Sequence, residues 1–160
     1  MFSGLKKSSS ALIGLDFGSN SIKAVAISKG GGTFKIDAVA EAPIPKGLIV
    51  DHHFEDIAKL TKIIKQLRKN FPTSYQNVAM AVSGADVITK VIAMNAELNE
   101  IELEAQVELE AENSIPFPLD EVFLDFEVIA PNAADKSLND VLLSAARKET
   151  VLAQVDCAED

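Results

Sequence analysis

The spacing of apolar positions along the chain changes several times, and each change marks an element. Residues 12–16 (LIGLD) are a short apolar run closed by an acid, which predicts a buried strand. In residues 21–28 (SIKAVAIS), Ile22, Ala24 and Ala26 alternate with Lys23, Val25 and Ile27, which predicts a second strand. Gly30, Gly31 and Gly32 supply a turn, because residues without a Cβ take positive φ freely. Residues 33–40 (TFKIDAVA) predict a third strand, with Phe34, Ile36 and Ala38 on one face and Lys35 and Asp37 on the other. Together these strands predict an antiparallel meander, ended by Pro43 and Pro45.

The period then lengthens. Phe54, Ile57, Leu60, Ile64 and Leu67 recur at steps of three and four, predicting one apolar helical stripe over residues 52–70. Asp51 is the expected N-cap, and Lys65, Arg68 and Lys69 suit the negative end of the helix. Residues 77–82 (NVAMAV) read as a parallel strand buried on both faces. The first unit is therefore expected as β-β-β-α-β.

Residues 86–94 (DVITKVIAM) predict another strand. Residues 101–112 (IELEAQVELEAE) alternate strictly, which by period alone is a strand. Three features favour a helix instead. The run is long for a strand, its Glu, Leu and Ala are strong helix formers, and Asn99 with Glu102 makes a capping box flanked by Leu98 and Leu103 as a hydrophobic staple. Residues 122–129 (VFLDFEVI) predict a strand with Val122, Leu124, Phe126 and Val128 inward, paired with residues 139–146 across a polar loop. A last helix is expected over 148–158, so the second unit reads β-α-β-β-α. There are no internal repeats.

Charge sharpens this division. Residues 1–70 carry 11 basic and 6 acidic side chains, a net of +5, and residues 71–160 carry 4 basic and 18 acidic, a net of −14. The total of −9 excludes a general nucleic-acid binder. A chain of 160 residues that is 48% hydrophobic has material for a real core and is not wholly disordered. Its single cysteine, Cys157, excludes an internal disulfide framework and suits a reducing compartment. The apolar run from Ala11 to Leu15 is stopped by Asp16, too soon for a signal-peptide core, and no stretch approaches the roughly 18 apolar residues of a membrane span. A cytoplasmic protein with a flexible tail over residues 1–11 is expected.

The stretch IGLDFGSNSIKAVAIS carries the chemistry. A strand ends at Asp16, a tight turn runs through Gly18, Ser19 and Asn20, and a second strand leaves through Ser21 and Lys23. Gly18 lets backbone amides approach phosphate oxygens, and successive amides in a turn form an anion-binding nest. Ser19, Asn20 and Ser21 add small donors, and Lys23 adds a compact positive charge. Asp16 stands where it would hold Mg²⁺ through water, since that ion keeps most of its hydration shell. The competing reading is an ordinary hairpin whose Asp and Ser cap their own backbone. The glycine-rich phosphate loop ending in Gly-Lys-Ser/Thr is absent.

This arrangement resembles the first phosphate loop of the superfamily of actin, heat-shock chaperones and sugar kinases, with Asp16, Gly18, Ser19 and Lys23 at the matching positions. The segments LIGLDFGSNSIKAVAIS, NVAMAVSG, ELEAQVELEAENSIPFPLDEVFLDF and DVLLSAARKETV are similar to the PilM family of type IV pilus assembly proteins, which are actin-like and related in fold to the division protein FtsA. The resemblance runs from about Leu12 to the last residue and is most specific in IPFPL, residues 115–119. It implies an α/β, partial actin-like (ribonuclease H-like) fold. Residues 12–84 would be most of subdomain 1A with the first phosphate loop, and residues 85–160 an SHS2-like subdomain 1C. It further implies ATP and Mg²⁺ as ligands. The implied role is a scaffold at the inner-membrane pilus assembly complex, docking the cytoplasmic N-terminal peptide of PilN between 1A and 1C.

Two loops of the superfamily's nucleotide site, a second phosphate loop and an adenosine loop, have no counterpart here, so the chain is expected to be the N-terminal portion of a longer protein. It is expected to bind ATP weakly or not at all by itself and to show weak or no ATPase. An FtsA-type division or cytoskeletal protein and a kinase of the same superfamily are the alternatives. The remaining candidates read as surface features. His52 and His53 are neighbours and do not share a helical face as paired metal ligands do. The glutamates at 102, 104, 108, 110 and 112 read as a solvated face that wants a basic partner, which Lys59, Lys62, Lys65, Arg68 and Lys69 would supply if that helix does not face anionic lipid.

Overall fold

The computed structural model describes residues 12–51, 53–82 and 87–159. The chain divides into two compact units, one of residues 1–81 with 153–160 and one of residues 82–152. The expected boundary at 84/85, the tail over 1–11 and His52 lie outside the described residues.

In the first unit β1 (Leu12–Phe17), β2 (Ser21–Gly30) and β3 (Thr33–Pro43) form the expected meander. After a two-strand hairpin, β4 (Ile49–Val50) and β5 (His53–Phe54), the helix α1 (Ile57–Arg68) leads to β6 (Asn77–Met80). The strand order is β3-β2-β1-β6, with β6 parallel to β1. Ile13 and Leu15 on β1 lie opposite Ala26 and Ala24 on β2, and with Ile22 they meet Leu60 and Leu67 of α1 in one core. The turn after β2 places Gly31 and Gly32 at φ 58° and 85°, the conformation that favours glycine.

Three expectations for this unit are corrected. The helix starts at Ile57 with Asp56 as N-cap, accepting from the Lys59 amide; Asp51 sits in the β4–β5 turn at φ 49°, and Phe54 belongs to β5. On β3 the register slips between Ala38, opposite Ala26, and Ile36, opposite Ile27, so Asp37 is an extra, bulged residue. The bulge sends Phe34 and Ile36 to the surface, at 74% and 64% exposed, while Ala38 stays against the core. It also aims Asp37 at Tyr75, whose hydroxyl donates to it at 2.5 Å. Finally, β6 is not covered on both faces: Asn77, Val78 and Ala79 are exposed, because β6 is an edge strand paired only with β1.

In the second unit β7 (Val87–Asn95), α2 (Glu100–Ser114), β8 (Val122–Pro131) and β9 (Leu138–Arg147) make a three-stranded antiparallel sheet of order β7-β9-β8 with a helix packed on it. Residues 101–112 are helical, and both halves of the capping box are made: the Asn99 side chain accepts from the Ile101 and Glu102 amides, and the Glu102 carboxylate accepts from the Asn99 amide at 3.0 Å. Val107 and Ala111 are buried against Val141, Leu143 and Ala145 of β9. Of the four expected inward positions on β8, Val122 is buried and Leu124 and Phe126 pack against this core; Val128 is 42% exposed beside a bulge at Ile129.

The last helix, α3 (Lys148–Glu159), starts in this unit and ends in the first, where Cys157 is 1% exposed with its sulfur near the Ile57 carbonyl. Burial pushes the Cys157 thiol above its ordinary pKa, so it is a neutral core group.

Candidate phosphate-binding loop

The β1–β2 hairpin places the loop. Asp16 is the penultimate residue of β1, and Lys23 is its register partner on β2. Because side chains alternate, Leu12, Gly14 and Asp16 share one face of the sheet, and Lys23, Val25 and Ile27 continue it. This face is opposite the α1 core. Both Asp16 and Lys23 are exposed, and neither is ion-paired within 4.0 Å among the described residues. Lys23 is flanked on its other side by Glu41, its register partner on β3. The sequence reading missed Glu41, since nothing in the local pattern reveals which β3 residue lies beside Lys23.

The turn is tight. The Gly18 amide donates to the Ser21 carbonyl at 3.0 Å and closes the hairpin, so this amide is committed to the protein. A Cβ on Gly18 would come 3.0 Å from that same carbonyl oxygen, which fixes why glycine stands here. Ser19 and Asn20 are exposed, Ser21 is half-buried, and the amides of Ser19 and Asn20 make no hydrogen bond within the protein among the described residues. The Asn20 carbonyl accepts from the Ile44 amide at 3.0 Å, anchoring the loop to the segment after β3. The structure thus brings all six expected residues, Asp16, Gly18, Ser19, Asn20, Ser21 and Lys23, to one end of the sheet. Ser19 and Asn20 present the open amides there, and Gly18 serves the turn. Below Asp16, the same face carries a shallow apolar hollow of about 490 Å³ floored by Gly14, Val25 and Ile27.

One carboxylate with an adjacent ammonium and a turn with open amides fit a phosphate and a largely hydrated Mg²⁺. No group of three or more His, Cys, Asp or Glu side chains placed to hold a metal ion occurs among the described residues. Among the described residues, no helix is long and apolar enough to cross a membrane.

A β-β-β-α-β unit whose first hairpin carries this tight turn, followed by a β-α-β-β unit from which the last helix sets out, defines a partial actin-like α/β fold. The family model for the type IV pilus assembly protein PilM matches residues 14–160, and the chain belongs to that family. A chain of a solved structure described as a PilM-PilN type IV pilus biogenesis complex is similar with a TM-score of 0.79 and 31% identity, over 92% of this chain and 44% of that one. A Bacteroides thetaiotaomicron protein of actin-like ATPase fold and unknown function matches with a TM-score of 0.44 and 13% identity, over 96% of this chain and 51% of that one. The chain thus spans less than half the length of its PilM relative.

Proposed function

We propose that the chain is the nucleotide-loop portion of a scaffold in type IV pilus assembly, and that its partner is the cytoplasmic N-terminal segment of PilN. The observation that carries the pilus role is the family match over residues 14–160 together with the likeness to a protein solved in complex with PilN. In this reading the open amides of Ser19 and Asn20, the hydroxyls of Ser19 and Ser21 and the Lys23 ammonium hold phosphate oxygens of ATP. Asp16 would hold Mg²⁺ through water, and the bound ion would supply neutralisation of phosphate charge. Nucleotide binding with weak or no hydrolysis belongs to the same reading. The protein is then cytoplasmic and held at the inner membrane through its partner.

Pull-down with a peptide of the PilN N-terminus tests the partner. Retention of the full-length protein is expected, and failure of the full-length protein to bind would refute the assignment. Isothermal titration with ATP and Mg²⁺ tests the loop: a full-length protein that binds, against this chain binding far more weakly, is expected. Equal and tight binding by both would show that one lobe suffices.

A further inference from the structure

The charges fall in two unmixed blocks. From Ile57 to Ala85 there is no acidic residue and there are five basic ones; from Val91 to Asp135 there is no lysine or arginine and there are twelve acids. Each block centres on an exposed helix face. On α1, Lys62, Lys65 and Lys69 are exposed at spacings of three and four, and none is ion-paired within 4.0 Å among the described residues. On α2, Glu100, Glu104, Glu108 and Glu112 are exposed at successive steps of four, one unbroken row. Like charges at these spacings oppose the helix that carries them. The α2 row has a further cost, because no basic residue stands in its last turn to meet the helix dipole. Beside that row Ile101 and Leu109 are 79% and 56% exposed.

We propose that these faces bind each other between copies, the acidic row of α2 in one molecule docking on the lysines of α1 in the next. The occupant follows from charge complementarity, since one chain displays both partners of the pair. A lipid surface fits less well. The lysine face of α1 is completed by Ala58 and Gln66 and offers no large apolar residue to enter an acyl layer. Such a contact is heterologous: each added copy leaves one α1 face and one α2 face free, so association continues into a ring or a filament.

Sedimentation velocity at rising protein concentration reads the association. In about 0.1 M salt the sedimentation coefficient is expected to climb with concentration, and in about 1 M salt, where screening is tight, to stay flat. A variant with Lys62→Glu, Lys65→Glu and Lys69→Glu, and a second with Glu104→Lys, Glu108→Lys and Glu112→Lys, are each expected to sediment as monomers. An equimolar mixture of the two is expected to associate again, because the reversed α1 of one variant meets the reversed α2 of the other, and the two unreversed faces meet likewise. That recovery also shows that both variants are folded. A wild-type chain that stays monomeric at low salt, or a mixture that does not recover, would overturn the proposal. So would a lysine variant that has lost retention on phosphatidylserine vesicles from a wild type that never self-associates.

Discussion

The two units solve one problem, covering a small sheet with a helix, by opposite means. In the first, α1 has a clear apolar stripe and meets the sheet through Leu60 and Leu67, with Ile63 and Ile64 beside them. In the second, α2 has no such stripe. It touches its sheet along the single line of Leu103, Val107 and Ala111 and exposes its glutamates together with Ile101 and Leu109. The helix with the apolar stripe is stabilised by burial. The helix without one depends on local chemistry, namely a complete capping box and strong helix formers. A helix can therefore be specified by its ends when its faces do not specify it.

Substitutions at the two helices should separate these cases. Leu60→Ala, at a fully buried position on α1, is expected to cost about 2–5 kcal/mol. Hydrogen exchange should show the loss mainly in β1, β2 and α1; an equal acceleration in β7–β9 would contradict the division into units. Asn99→Ala, which removes the α2 cap, is expected to cost about 1 kcal/mol, read from urea unfolding. A cost below a few tenths would mean that α2 is held by packing after all.

The smallest effect lies in the pH profile of the β3 bulge. Hydrogen bonds from Ser28 and then Tyr75 hold the Asp37 carboxyl below its ordinary range, and the Asp37 bond pushes Tyr75 above its ordinary value of 10.0. The Asp37 contribution is complete above the ordinary carboxylate pKa and is lost as pH falls through the lowered value. The Tyr75 contribution is complete below the ordinary phenol pKa and is lost as pH rises through the raised one. Tyr75→Phe should remove the alkaline loss from the first unit and leave the second unit's profile unchanged; a profile unaltered above the ordinary tyrosine pKa would show that the bond carries no stability.

Where one residue step decided the geometry, the sequence pattern alone was insufficient. The bulge at Asp37 reverses the faces of Phe34 and Ile36, and alternation carries no mark of an inserted residue. The start of α1 was misplaced because Phe54 falls on the helical period while lying in β5, and because Asp51 and Asp56 are equally good caps by type. The exposed faces of β6 were unforeseeable, since an apolar run does not say which strands flank it. By contrast, α2 was legible despite its alternation, because a capping box is a pairing of residue types at a fixed offset. The loop was legible for the same reason: Asp16, Gly18 and Lys23 are close in sequence, and a hairpin keeps them close in space. Its Glu41 neighbour and the commitment of the Gly18 amide both depend on pairing and geometry that no local pattern contains.

The central claim is that this loop holds phosphate. The most direct measurement is an amide NMR titration of the full-length protein with ATP and Mg²⁺, which detects even binding as weak as about 1 mM. Shifts concentrated at Ser19 and Asn20, and lost in Asp16→Ala and in Gly18→Val, are the expected result. No shift in the loop at saturating nucleotide, or shifts confined to the second unit, would contradict it.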